Sequence, residues 1–97
     1  MEKTMLLSIV VPDGKETSVR CDAVRFQIPD GAKNKPTGGS VGIHPGHMDA
    51  LISVAAGEVT ASLAGKTVLH CTVDAGLAMV QKDAVNIMTA RIRDIQQ

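Results

Sequence analysis

Turn signals interrupt this chain at short intervals, and they constrain its fold more than any other feature. Most of them stand eight to twelve residues apart and separate short apolar runs. Because a helix needs about ten uninterrupted residues, this spacing predicts strands rather than helices. The signals are Pro12-Asp13-Gly14, Pro29-Asp30-Gly31, Pro45-Gly46, Ala56-Gly57-Glu58, Ala64-Gly65-Lys66, Asp74-Ala75-Gly76 and Lys82-Asp83.

Several of the runs alternate between two kinds of position with a period of two. This pattern is typical of strands that bury one face. The positions expected to face inward are Val24, Phe26 and Ile28; Val59, Ala61 and Leu63; Leu69, Cys71 and Val73; and Val85, Ile87 and Thr89. Many short strands with one apolar face each predict an all-β fold, a two-sheet β-sandwich of about ten strands.

Two runs are apolar on both faces. Residues 5–11 and residues 77–81 carry apolar side chains at odd and even positions alike. In a sandwich with one core, one face of each run must look outward and expose apolar surface, which usually marks a partner-binding site. The alternative is a loop that lies across that face.

Composition excludes several classes of function. Ten basic and ten acidic residues give a formal net charge of zero, and the chain has one Phe but no Trp or Tyr. Neither charge nor aromatic residues therefore indicate a nucleic-acid partner. Two cysteines are too few for a disulfide scaffold and favour a reduced compartment. No run reaches the roughly 20 apolar residues of a membrane helix, so we expect no direct membrane insertion.

Two histidines, His44 and His47, flank a Pro-Gly pair. They could bind a metal if Cys21, Cys71 or His70 completed a tetrahedral set. However, Pro45-Gly46 favours a tight turn, in which the flanking side chains need not converge. The residues favour two surface histidines and no bound metal or cofactor, with the metal site as the alternative.

No catalytic motif stands out elsewhere in the chain. Ser40 lies in G-G-S-V-G, which does not match the spacing of a nucleophile elbow. The same stretch lacks the Gly-Lys-Ser/Thr ending of a phosphate-binding loop. Cys71 is placed on an inward face, where cysteine acts as a small core hydrophobe. The residues therefore predict a binding module rather than an enzyme.

The run GSVGIHPGHMDALI, residues 39–52, resembles the signature of the epsilon subunit of bacterial F-type ATP synthases, the delta subunit of mitochondria. The matching residues are Gly39, Gly42, Ile43, Pro45, Gly46, His47 and Leu51. Residues 56–59, 74–80 and 86–90 resemble later strands and turns of that family. The resemblance spans about residues 5 to 91.

The resemblance implies a non-catalytic subunit at the foot of the central stalk, which couples ion translocation to ATP synthesis or hydrolysis. One sheet face would contact the gamma subunit, and loops would contact the rotor ring of c subunits. From the two-sided apolar pattern we expect the gamma interface at Leu77, Ala78 and Val80. The ring contact is expected at Ser40, His47, Lys33 and Lys35, beside a turn shaped by Gly42, Pro45 and Gly46. The resemblance also implies a peripheral location on the cytoplasmic, inner face of a bacterial plasma membrane.

The chain departs from the family pattern at three points. Ser40 replaces an acidic residue, and Asp49 replaces a frequent proline. Family members usually continue into two C-terminal helices. In this chain we expect the sandwich at residues 1–91 and a tail at residues 92–97. That tail would be the truncated start of the helical region, without the helical hairpin. The alternatives are a small metal-binding β protein that uses His44 and His47, and an unrelated sandwich adaptor.

Overall fold

Ten strands follow the alternating runs of the sequence in the computed structural model, which describes residues 3–29, 39–46 and 48–97. They are β1 (Met5–Val10), β2 (Glu16–Cys21), β3 (Ala23–Ile28), β4 (Gly39–Ile43), β5 (Ala50–Val54), β6 (Gly57–Leu63), β7 (Lys66–Val73), β8 (Gly76–Gln81), β9 (Ala84–Thr89) and β10 (Ile92–Gln96). Within the described ranges no helix could span a membrane.

The strands form two five-stranded sheets. Sheet 1 has the order β2-β1-β9-β8-β5, and sheet 2 has the order β10-β7-β6-β3-β4. Strands β1 and β9 pair in parallel, whereas the other pairings described for these strands are antiparallel. The two-sheet β-sandwich predicted from the spacing is confirmed.

The inward faces of the two sheets share one core. The predicted alternation holds on β3, β7 and β9, where every second side chain is buried. Phe26, the one aromatic residue of the chain, is fully buried and is the largest side chain in this core. Apolar burial of this kind is the main favourable term in the folding of a small domain.

Strand β8 corrects one prediction of the sequence. Ala78 and Val80 are 0% and 1% exposed and lie in the core, so their predicted place on an outward face is wrong. They pair with Ile87 and Val85 of β9, which also point inward. Directly paired residues share a face, and the neighbouring strand therefore decides which side of β8 is buried.

The C-terminal segment corrects a second prediction. Residues 92–96 form strand β10 on the edge of sheet 2 instead of the start of a helix. Ile92 pairs with Val73 and packs against the core. Arg93 Nη1 donates to Asp74 Oδ1 at 2.9 Å. These contacts carry the sandwich past the boundary predicted at residue 91.

Gly76 on β8 faces the backbone of β9, which explains the glycine at this position. A Cβ added there would overlap the carbonyl oxygen of Met88 and would lie 3.1 Å from Thr89 Cα. We expect Gly76→Ala to lower the free energy of unfolding by about 1–3 kcal/mol or more, because paired backbone must move. Denaturant titration measures this loss.

Gly42→Ala provides the matched control for Gly76→Ala. A Cβ at Gly42 would meet Arg25 Nη2 at 3.5 Å, which is an ordinary contact with a side chain that can move. We expect this second variant to keep the wild-type unfolding midpoint. Equal losses in both variants would show that the close approach of β9 is not the cause.

The cysteines Cys21 and Cys71 are free and fully buried. Burial raises the pKa of the Cys71 thiol from an ordinary value of 9.0 to about 11. The pKa of Cys21 is raised by burial and then by the nearby Asp22 carboxylate. Both thiols are therefore neutral at pH 8, and a neutral buried thiol is a poor nucleophile.

We expect neither cysteine to react with an aromatic disulfide reagent at pH 8 until denaturant unfolds the chain. Absorbance of the released thiolate measures the reaction, and rapid labelling of the native protein would contradict the buried positions.

Unfolded Cys71 loses its proton near pH 9, whereas the folded state keeps it up to about pH 11. The free energy of unfolding should therefore fall as the pH rises through that window.

Candidate partner-binding surfaces

The outward side of sheet 1 carries a set of exposed apolar side chains, here called the apolar outer face. It consists of Leu6, Val10, Leu51, Leu77, Met79 and Met88. Five of the seven exposed large hydrophobic side chains in the described part of the chain lie on it. Leu77 and Met79 are 37% and 38% exposed, and Leu51 is 66% exposed. An exposed apolar patch of this kind is a candidate interaction surface.

Strand register brings these side chains together. Met79 pairs with Leu51 of β5, and Leu77 pairs with Met88 of β9. Met88 in turn pairs with Val10 of β1. Paired residues on one face have Cβ atoms about 4.5–5.5 Å apart. The result is one surface across four strands.

Only part of this surface could be predicted from the sequence. Leu77 was predicted to face outward, and it does. Met79, Met88, Leu51 and Leu6 were not among the residues predicted for the gamma interface. One signal was available, because Met88 stands where the alternation of AVNIMT calls for a polar residue.

The outward side of sheet 2 is polar by comparison. Arg25 Nη1 donates to Ser40 Oγ at 3.0 Å, and His70 Nε2 lies 3.6 Å from Glu58 Oε2. Thr60 stands between these two pairs, since it is opposite both Arg25 and His70. Water can solvate this face as it stands, whereas the outer face of sheet 1 carries most of the exposed large apolar side chains of the described residues.

The signature run makes a turn at the end of β4. Pro45 and Gly46 occupy the turn, and Gly46 has a φ of +85°, in the left-handed region that glycine tolerates best. The Gly46 amide donates to the Lys82 carbonyl at 2.9 Å, which fastens the turn to the link between β8 and β9. Gly42 has a different role, because the Arg25 guanidinium lies across it.

Three predicted ring-contact residues, Lys33, Lys35 and His47, lie outside the described residues. The fourth, Ser40, lies on β4 and accepts from Arg25. In the sequence, the segment with the two lysines comes just before Gly39, the first residue of β4. His44 comes just after Ile43, the last residue of β4. Five residues of strand put about 13 Å between Gly39 and Ile43, the two ends of β4.

One of the two histidines of the alternative metal site, His47, lies outside the described residues. Among them, no group of three His, Cys, Asp or Glu side chains could hold a metal ion. Cys71 faces the core, whereas the adjacent His70 faces outward. His44 is exposed, with Nδ1 3.4 Å from the Asp22 carbonyl oxygen. These side chains point to different parts of the molecule.

The family model for the beta-sandwich domain of the ATP synthase delta/epsilon chain matches residues 4–94. The chain belongs to this family. The match covers both sheets, including the first part of β10. The resemblance seen in the signature run is thereby confirmed for the whole sandwich.

Two solved ATP synthase structures contain chains with the same fold. A chain of the Euglena gracilis mitochondrial ATP synthase (OSCP/F1/c-ring) has a TM-score of 0.73 at 18% identity, covering 96% of this chain and 54% of its own length. A chain of the Tetrahymena thermophila mitochondrial ATP synthase (central stalk/c-ring) has a TM-score of 0.64 at 13% identity, covering 97% of this chain and 69% of its own length. This chain thus spans about half the length of the first. Among curated proteins, none matches the sequence.

Proposed function

We propose that this domain is a rotor subunit in the central stalk of an F-type ATP synthase and that its apolar outer face binds the gamma subunit. The single observation that carries the proposal is this exposed apolar surface on a member of the delta/epsilon family. Leu77 keeps the role predicted for it. Met79 and Met88 take the places first given to Ala78 and Val80.

A closed β-sandwich suits a part that transmits torque. Its two sheets share one core, and interiors packed to crystal-like density resist deformation. A gamma contact on the apolar outer face would bury roughly 800 Å² per partner if it is a standard interface. Binding should then depend mainly on apolar burial and should survive high salt.

The ring contact is the second part of the proposal. The turn at Pro45 and Gly46, which precedes His47, would meet polar loops of the c subunits, with Ser40, Lys33 and Lys35 as further candidates. Contacts between exposed polar groups are modest and are screened by salt. The ring contact should therefore weaken with ionic strength more than the gamma contact does.

The domain's contribution to the enzyme is mechanical in this proposal. It would couple ion translocation to ATP synthesis or hydrolysis without supplying a catalytic residue. Its location would be that of the complex, peripheral on a membrane. The cytoplasmic face of a bacterial membrane remains a prediction, since the two structural neighbours are mitochondrial.

Co-purification tests the proposal. The tagged chain, expressed with the gamma subunit from the same source, should elute as an equimolar complex in both low and high salt. An unrelated sandwich adaptor would leave gamma in the flow-through at every ionic strength. That outcome would refute the proposed function.

A further inference from the structure

A polar row crosses the apolar outer face. Ser18, Ser8 and Asn86 stand side by side on β2, β1 and β9. The flanking rows on β1 and β9 are apolar: Leu6 with Ala84 on one side, and Val10 with Met88 on the other. Since β9 is the middle strand of sheet 1, Asn86 lies near the centre of the surface.

The two serines form a hydrogen-bonded chain to the edge of the sheet. Ser18 Oγ donates to Glu16 Oε2 at 2.8 Å and lies 3.2 Å from Ser8 Oγ. A hydroxyl has one hydrogen, and Ser18 gives its hydrogen to the carboxylate. Ser8 must therefore be the donor to Ser18, which leaves the Ser8 oxygen free to accept. Ser8 is only 4% exposed, so this acceptor is already largely withdrawn from water.

Asn86 adds an amide beside that acceptor. Its side chain is half-buried, and the described part of the chain gives the amide no hydrogen-bond partner. A free amide costs nothing while water reaches it. Under an apolar cover the same amide would lose its water, at a cost of about 1–3 kcal/mol if it stayed unpaired.

We propose that Asn86, next to the largely buried Ser8 hydroxyl, determines the register of the gamma contact by pairing with one polar side chain of the partner. The proposal rests on the proposed function. The matching partner segment carries an apolar stripe with a single hydrogen-bond donor, an amide or a hydroxyl, opposite Asn86. Apolar surfaces tolerate sliding because their attraction is non-directional, whereas one buried polar pair is satisfied in only one register.

The test compares two matched substitutions of an amide by an apolar side chain. Asn86→Leu changes the centre of the apolar outer face, and Gln81→Leu makes the same kind of change at its rim, on β8. Both residues point outward, so both variants should unfold at the wild-type midpoint. Dissociation constants for the purified gamma subunit are measured by calorimetry.

We expect Asn86→Leu to weaken binding by about tenfold or more, because the partner's polar group loses its pair. Gln81→Leu should change the constant less than about twofold. If Asn86→Leu binds as tightly as the wild type or more tightly, the partner surface is apolar there and the inference is wrong, while the gamma contact stands. If the wild-type chain does not bind gamma, both proposals are refuted.

Discussion

Replacing Leu77 and Met79 with aspartate is expected to weaken binding to the gamma subunit by about 100-fold or more, because charges would be buried without a partner. Both side chains project from the apolar outer face and lie outside the hydrophobic core. The double variant should therefore stay folded. Calorimetry gives the dissociation constant, and circular dichroism verifies the fold.

The matched control places two aspartates on the opposite outer face. Thr60→Asp with Ser62→Asp has the same spacing, on β6 of sheet 2, and adds the same charge. We expect wild-type affinity for gamma in this control. Loss of binding in both double variants would point to net charge or strand propensity as the cause, and the face assignment would then be abandoned.

Phe26→Ala is expected to lower the free energy of unfolding by about 3–5 kcal/mol, the usual loss when a buried aromatic ring is removed. Phe26 is 0% exposed and lies on β3, between β6 and β4. A domain of this size has only about 5–15 kcal/mol in total. The variant should therefore melt well below the wild type in a thermal scan.

Phe26→Leu separates cavity formation from the loss of an aromatic ring. Leucine keeps most of the apolar volume, so its cost should stay below about 1.5 kcal/mol. A loss of less than about 1 kcal/mol in Phe26→Ala would mean that the core collapses around the gap, against the close packing expected at this position.

The alternating strands could be predicted because burial and sequence report the same period. On β3, Phe26 is apolar and buried, while its neighbour Arg25 is polar and exposed. In such strands the sequence pattern indicates which side faces the core. The two-sheet fold class follows from them without tertiary information.

Strand β8 shows where this reasoning ends. Leu77, Ala78, Met79 and Val80 are all apolar, so alternation cannot decide which pair is buried. The larger side chains in fact face outward, because the register with β9 directs the smaller two into the core. Only the pairing of distant segments carries that information.

Strand β10 and the polar row were missed for the same physical reason. A short segment such as IRDIQ has no period strong enough to separate a helix from a strand, and its pairing with β7 decides. Ser8 and Asn86 lie 78 positions apart in the sequence and meet only through the parallel pairing of β1 and β9. Contacts between segments so far apart in the sequence cannot be predicted from local sequence patterns.

Site-directed photo-crosslinking in the assembled complex tests the central claim most directly. Met79→Cys and Thr60→Cys place one reactive thiol on each outer face, and a benzophenone maleimide labels it. The buried Cys21 and Cys71 should remain unlabelled. We predict a crosslink to gamma from position 79 and none from position 60. A gamma crosslink from position 60, with none from position 79, would contradict the account.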